Sequence, residues 1–205
     1  TRISQDLVTV EASTFAPIDG TAPNNLALGP GDSLVAVSSA GGGMPVTPDA
    51  YDDTPAGLAD AVALRLDADL TTIEMCTYVG GSDADYGQCV TARPDGAVVI
   101  GGFTRSTNWP TTPGAADSTY SGGFGDPFVA MVSADGTQLL YSTYLGGSTA
   151  ATGEADVLVA DGEEHVLVGG RTPDAFFPVT PGAFDTSFNG GSLGDGFVAR
   201  LRLES

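Results

Sequence analysis

The chain has 205 residues and a net charge of −19, because 26 acidic residues face seven arginines and there is no lysine. Nucleic acid and anionic membrane surfaces are therefore poor partners, since each binds a basic footprint. Apolar residues make up 41% of the chain, which is too many for a disordered protein. No apolar run approaches the roughly 20 residues that span a bilayer.

Three tandem repeats organise the chain into one domain over residues 1–205. Similar strings recur at a nearly constant interval, such as MCTYVGG at 75–81 and YSTYLGG at 141–147. An additional strand-like run, Ile3 to Ala12, lies in the segment 1–20 that precedes the first repeat. Self-similarity at a fixed period is typical of repeat folds. The repeats occupy, approximately and in order, 21–81, 82–147 and 148–205.

Each repeat divides into four predicted strands, A to D. In the middle repeat, PDG at 94–96 and ADG at 134–136 are tight turns. The segments between turns are rich in Val, Ile, Leu, Tyr and Thr, and no segment keeps a 3.6-residue apolar period, so strands and almost no helix are predicted. Four antiparallel strands in tandem describe a β-propeller blade, and the predicted fold class is all-β. The strands of the middle repeat are Gln88–Arg93, Ala97–Thr104, Phe128–Ser133 and Gln138–Leu145.

Three of the recurring strings resemble the bacterial SBBP repeat, a family named for a seven-bladed β-propeller. They are YSTYLGG, FPVTPGAF at 177–184 and GDGFVARL at 194–201. The resemblance covers about residues 40–205 and implies a propeller in a secreted or surface-exposed protein. The family has no general catalytic motif, so the resemblance supplies no active site.

The strand order along the chain is D, ABCD, ABCD, ABC, which leaves the last blade one strand short. We predict that the N-terminal strand completes it as a fourth strand and so covers an exposed sheet edge. Three blades are fewer than the usual four to eight. Three arrangements remain open: a six-bladed ring of two chains that exchange strands, a piece of a longer propeller or larger strand-exchanged assembly, and a closed three-sheet monomer.

The long D–A and B–C connections lie on one face of a propeller, opposite the tight A–B and C–D turns. Binding sites concentrate in long loops on a rigid scaffold, so any functional site is expected on that face. Thr-Pro pairs recur in the B–C loops and are interpreted as architecture, because Pro fixes φ and stiffens a loop. The pairs are Thr47-Pro48, Thr112-Pro113 and Thr180-Pro181.

Aspartate recurs at the start of strand C, as Asp60, Asp126 and Asp195. Two interpretations are open. The carboxylate orders the preceding loop by accepting backbone N–H groups, or it binds calcium, which prefers carboxylate and carbonyl oxygens. Asp83 and Asp85, in the loop GSDADYG, are two further candidate calcium ligands, although the loop is not an EF-hand.

Aromatic and cysteine residues provide the other candidate sites. Trp109 and its counterpart Phe177, together with Phe176, are candidates for stacking on a sugar, against the simpler role of a hydrophobic plug at the end of a blade. Cys76 falls in strand D of the first repeat and Cys89 in the next strand A. A disulfide between them is predicted to join two blades, which implies an oxidising compartment.

Catalysis is not expected, because the chain has one histidine, His165, no lysine and no recognised catalytic motif. The main hypothesis is a structural or adhesive module of a secreted or cell-surface protein that assembles with itself. The alternative is a glycan- or calcium-dependent binding module that uses the long-loop face to bind a glycan or another surface protein. An enzyme built on two carboxylates is the third hypothesis.

Overall fold

The computed structural model describes residues 2–3, 10–14, 22–147, 153–191 and 194–203. It is all-β, as predicted, and Pro30–Asp32 forms the one helical turn of the described residues. The described strands are β1 (Arg2–Ile3), β2 (Val10–Ala12), β3 (Asn25–Leu28), β4 (Leu34–Ala40), β5 (Asp60–Leu66), β6 (Ile73–Val79), β7 (Asp85–Ala92), β8 (Val98–Thr104), β9 (Asp126–Val132), β10 (Leu139–Tyr144), β11 (Glu154–Asp161), β12 (His165–Thr172) and β13 (Asp195–Arg202).

Strands that follow one another along the chain pair in three antiparallel sheets. Their orders are β3-β4-β5-β6, β7-β8-β9-β10 and β11-β12-β13, called here the first, second and third sheet. The predicted order A to D is therefore confirmed in the first two sheets, where strand D is β6 and β10. The third sheet contains strands A to C among the described residues.

The predicted completion of the third sheet by the N-terminal run of the same chain is not found among the described residues. The β1 and β2 strands pair with each other, with Arg2 opposite Ala12 and Ile3 opposite Val10. Pairing two strands that are close in sequence closes a short loop and costs less chain entropy than a distant pairing. Residues 4–9 lie outside the described residues. The β13 strand is consequently the edge of its sheet in the described structure.

The second sheet packs between the other two. Phe128 and Ile100 lie in one core with Val37 of the first sheet, whereas Val129 lies in a second core with Val168 of the third sheet. Successive residues of a strand point to opposite faces, so adjacent residues such as Phe128 and Val129 serve different cores. Near-continuous apolar strands in the middle repeat are the sequence counterpart of a sheet that is buried on both faces.

Gly87 in β7 lets the first and second sheets approach closely. A Cβ at this position would lie 2.4 Å from Val37 Cγ2 and 2.9 Å from the Ser38 carbonyl oxygen. The Gly87 carbonyl accepts a hydrogen bond from Asn24 Nδ2 at 2.7 Å, and its N–H donates to Ser39 Oγ at 3.0 Å. A larger residue at this position would therefore force Val37 and the facing strand to shift.

The long B–C loops, at 41–59, 105–125 and 173–194, are called covering loops because the first two lie along strand D of their own sheet. In the second sheet, Thr112 N–H donates to the Ser142 carbonyl at 3.1 Å, and Ser142 N–H donates back to Thr112 Oγ1 at 2.9 Å. Further along, Asp117 N–H donates to Thr143 Oγ1 at 2.9 Å.

The first sheet repeats this pattern with different residues. Thr47 N–H donates to the Cys76 carbonyl at 3.1 Å, and Cys76 N–H donates to Thr47 Oγ1 at 3.2 Å. Asp52 N–H donates to Thr77 Oγ1 at 3.0 Å. Two of the Thr-Pro pairs therefore hold a loop against a sheet edge, which explains their recurrence. The covering loops of the first two repeats are engaged with the scaffold.

Replacing Thr112 by Val is expected to destabilise the chain. Valine fills the same volume but leaves the buried N–H of Ser142 without its acceptor, at a cost of about 1–3 kcal/mol. Denaturant unfolding measures this loss of unfolding free energy. Thr111→Val is the matched control, because the other two repeats carry Val46 and Val179 at that position. Equal stabilities of the two variants would contradict the role given to the Thr112 hydroxyl.

Candidate functional site

The predicted disulfide is wrong, because Cys76 and Cys89 are both buried free thiols. Cys76 lies on an edge strand of the first sheet, and β7, which carries Cys89, is the opposite edge strand of the second sheet. The connection from β6 to β7 therefore runs from one edge of the first sheet to the opposite edge of the second sheet. Cys76 packs with Tyr78 on the side of the first sheet away from the second sheet. Cys89 Sγ faces the third sheet, 3.1 Å from the Ala155 carbonyl. Burial raises the pKa of each thiol to about 12.

The repeated aspartates at the start of strand C order the loops that precede them. Asp60 accepts the N–H of Ala56 at 3.0 Å and of Gly57 at 3.3 Å. Asp126 accepts the N–H of Ser121, and Asp195 accepts the N–H of Asn189 at 2.6 Å. These contacts match the structural interpretation of the three residues.

The two aspartates of the GSDADYG loop, Asp83 and Asp85, lie in different environments. Asp85 is buried, and its Oδ2 accepts Gly81 N–H at 2.6 Å and Ser106 Oγ at 2.9 Å, while its Oδ1 accepts the Thr104 hydroxyl. Asp83 is exposed and accepts the N–H of its neighbour Ala84. Within the described ranges, no group of three or more His, Cys, Asp and Glu side chains is arranged to hold a metal ion. The five carboxylates predicted as calcium ligands are thus not brought together.

Burial raises the pKa of Asp60 and of Asp126 to about 6, with the hydrogen bonds from Ala56 and Ser121 opposing the rise. The pKa of Asp85 is also raised by burial, and the charge of Asp85 contributes to the shift of Asp60. Desolvation disfavours the charged carboxylate, so these groups take up protons at a higher pH in the folded chain than in the unfolded chain.

The three aromatic candidates for sugar stacking occupy different environments. Trp109 is 3% exposed, packs on Phe128 with ring centroids 4.0 Å apart, and donates from Nε1 to Ser142 Oγ at 2.8 Å. Phe177 packs similarly on Phe197, at 4.4 Å. Phe176 is 68% exposed. Trp109 is therefore a core residue, and of the three only Phe176 presents much of its ring to solvent.

The outer face of the third sheet is an exposed apolar surface that the sequence predictions missed. Val198 is 84% exposed, whereas Val129, at the same register position in the second sheet, is fully buried. Val157 and Val159 are each about half exposed, and Leu167 is 36% exposed. Val129 and Val198 therefore belong to the same apolar pattern but differ in burial. The third sheet packs on the second sheet and covers Val129, whereas none of the described elements covers the outer face of the third sheet.

The covering loop of the third repeat is exposed over residues 178–189. It keeps local bonds of the type found in the other loops, such as Ala183 N–H to the Thr180 carbonyl at 3.1 Å. The third sheet has no described strand D on which it could lie. Phe184 protrudes fully into solvent from this loop, and Val179 is more than half exposed.

One sequence signal relates the N-terminal run to strand D of the complete repeats. Strand D of the complete repeats carries Cys76-Thr77-Tyr78 and Ser142-Thr143-Tyr144, and the N-terminal run carries Ser13-Thr14-Phe15.

The third repeat also contains Asp174, a buried carboxylate at the position of Ser106 that the sequence predictions missed.

No protein-family model and no curated protein matches the chain. The described part of the chain has no helix of the length and apolarity needed to cross a membrane.

The chain is expected to lose stability as the pH rises from 4.5 to 7. A carboxyl group with a raised folded pKa stabilises the fold below its unfolded pKa, near 3.9, and this contribution disappears as the pH rises through about 6. Asp126→Asn keeps an acceptor for Ser121 N–H without a charge. Melting temperatures across this range are expected to fall less in Asp126→Asn than in the parent chain.

Asp135→Asn is the control for that experiment. Asp135 is fully exposed, and hydrogen bonds from Ser133 and Thr137 lower its pKa, so its contribution is lost at acidic pH instead. The melting temperature of Asp135→Asn is expected to fall between pH 4.5 and 7 by as much as that of the parent chain. A decline of equal size in Asp126→Asn would contradict the assignment to this carboxyl group.

Trp109→Ala is expected to lower the free energy of unfolding by about 3–5 kcal/mol, because it removes a buried ring and leaves a cavity. Phe176→Ala, at an exposed position, is expected to change it by no more than about 0.5 kcal/mol. Denaturant titrations of both variants measure the difference. A Trp109→Ala chain as stable as Phe176→Ala would mean that the ring is not part of the core.

Proposed function

We propose that this chain is a non-enzymatic structural or adhesive module of a secreted or cell-surface protein that assembles with copies of itself through its sheets. The supporting observation is the outer face of the third sheet, which presents Val157, Val159, Leu167 and Val198 to solvent. Contiguous apolar surface on a folded chain is typical of an interaction site. The four side chains fall in two adjacent rows of the sheet, since Val159 pairs with Leu167 and Val157 with the neighbour of Val198, Gly169.

The second sheet supports the same proposal by comparison. Its Val129 is buried because the third sheet packs on it. Val198 repeats that residue and that register in the third sheet, so it has the pattern of a surface on which a further sheet packs. In a propeller, every sheet packs on two neighbours. An array of SBBP-like blades formed from several chains would bury this face.

The charge of the chain works against association. Two copies with a net charge of −19 repel one another, and dissolved salt screens that repulsion. At one end of the exposed face, Arg200 and Asp161 form an ion pair of 2.7 Å, so the charges of these two residues compensate each other. Self-association is therefore expected to increase with ionic strength.

A second candidate function is glycan binding at the third covering loop, favoured by the exposed rings of Phe176 and Phe184. Aromatic faces suit stacking on sugar rings. A glycan array probed with the parent chain and with Phe176→Ala separates this function from self-assembly, because binding to a sugar does not require a larger particle.

Sedimentation at increasing protein and salt concentration is expected to show particles larger than the 20.6 kDa chain. Val157→Asp and Val198→Asp together place two charges in the contact, and we expect them to weaken association by about 100-fold or more. Leu58→Asp, at an exposed position on the first covering loop, is the matched control. A particle with the mass of a single chain under all these conditions would refute self-assembly.

A further inference from the structure

Strand D of the two complete repeats carries a three-residue signature in which each position has a task. The first residue, Ser142 in the second repeat, exchanges two hydrogen bonds with Thr112 of the covering loop. The second, Thr143, accepts the N–H of Asp117 with its hydroxyl group. The third, Tyr144, donates its N–H to the Asp117 carbonyl at 3.1 Å and buries its ring.

The third repeat contains the loop half of this arrangement. Thr180 and Asp185 follow Phe177 at the same distances in sequence as Thr112 and Asp117 follow Trp109. The loop keeps its local shape, since Ser187 N–H donates to Asp185 Oδ1 as Thr119 N–H does to Asp117 Oδ1. The partner groups for a strand D are therefore present, and all of these loop residues after Phe177 are exposed.

The strand half of the arrangement is found at Ser13-Thr14-Phe15. Its position relative to the next strand also agrees with strand D. The interval from Thr14 to Asn25, where β3 begins, is 11 residues, which lies within the range of the complete repeats: 8 from Thr77 to Asp85, where β7 begins, and 11 from Thr143 to Glu154, where β11 begins. The Ser-Thr-aromatic signature is therefore what distinguishes this run from an ordinary apolar strand.

We infer that the edge of β13 and the third covering loop form an acceptor for residues 12–15 of a second copy of this chain. This inference rests on the proposed self-assembly and identifies the contact that produces it. In the second sheet, Ser142 pairs opposite Ala130 and Thr143 opposite Val129. The same register places Ser13 of the second copy opposite Ala199 and Thr14 opposite Val198.

The contacts of the inserted strand follow from the complete repeats. Ser13 N–H donates to Thr180 Oγ1, and its carbonyl accepts Thr180 N–H. The Thr14 hydroxyl accepts Asp185 N–H. Phe15 lacks the tyrosine hydroxyl that accepts Trp109 N–H at 3.0 Å in the second repeat. The corresponding N–H, that of Phe177, already donates to the Asp174 carbonyl at 3.1 Å, so the missing hydroxyl leaves no donor without a partner.

The packing of the sheets favours a second copy over the same chain. Each strand D leads into the first strand of a sheet that packs on its own sheet, as β6 leads into β7 and β10 into β11. By the same rule, the run before β3 belongs to a sheet that packs on the first sheet. The third sheet of this chain packs on the second sheet, on the face opposite the first sheet. A reciprocal exchange between two copies gives every chain one donor strand and one filled acceptor.

The first test uses single hydroxyl deletions in the full-length chain. Thr14→Val and Thr180→Val each remove one hydrogen-bonding hydroxyl, which weakens a contact about five-fold and a dimer with two such contacts roughly 25-fold. Thr186→Val, in the same exposed loop, is the matched control and is expected to leave the sedimentation isotherm unchanged. Parent-like association of both Thr14→Val and Thr180→Val would overturn the inference.

The second test uses complementation. Thr14→Pro disables the donor, and Thr180→Pro removes both the N–H and the hydroxyl of the acceptor threonine. Each chain alone is expected to be monomeric, and an equimolar mixture is expected to form a heterodimer with one intact contact, observed by native mass spectrometry. Homodimers of either variant, or a mixture without heterodimer, would overturn the inference.

A labelled peptide with the sequence VTVEASTFAP, residues 8–17, separates this inference from the proposed function. Fluorescence anisotropy is expected to show that it binds the full-length Thr14→Pro chain, and about five-fold more weakly when Thr180→Val is added. Binding of this kind supports the acceptor even if the parent chain does not assemble. A peptide that does not bind overturns the acceptor, and parent particles that Val157→Asp with Val198→Asp disperses would then support assembly through the sheet face alone.

Discussion

A pair of hydrogen bonds between one loop threonine and one residue of strand D supports the architecture of each complete repeat. Thr112 uses its amide as a donor and its hydroxyl as an acceptor toward Ser142, and so behaves like one more residue of the sheet. A sheet edge and a long loop are each costly when their backbone groups lack partners. The two features satisfy each other, which explains why the loops are long and why Thr precedes Pro in them. It also explains why the third covering loop, which has no described strand D beside it, is exposed over residues 178–189.

The sequence predicts the strands well because the evidence for them is local. Turn residues such as PDG at 94–96 and apolar segments between them depend only on near neighbours, and β8 and β9 are found where they were expected. The relation between sheets is not local. Cys76 and Cys89 are close in sequence, yet they lie on opposite edge strands of two sheets, because the chain crosses the width of a sheet between them. No spacing rule in the sequence carries that information.

The candidate sites were harder to predict for a related reason. Aspartate often binds metals and tryptophan often stacks on sugars, so both residue types are natural candidates for binding sites. In this chain, Asp60 accepts backbone N–H groups of the preceding loop, and Trp109 is buried in the core. Val129 and Val198 show the opposite problem, since the same residue in the same pattern is buried in one repeat and exposed in the other. Exposure depends on which sheet lies next to it, and the repeats do not differ in composition at that point.

The two buried thiols have a consequence for how the motion of this molecule can be followed. A thiol whose pKa is raised to about 12 forms almost no thiolate at neutral pH, and a reagent that alkylates thiolates reacts with it only when the surrounding structure opens. Cys89 is held between the second and third sheets, and Cys76 lies on the far side of the first sheet. The chain therefore carries two thiols whose alkylation reports the opening of different layers.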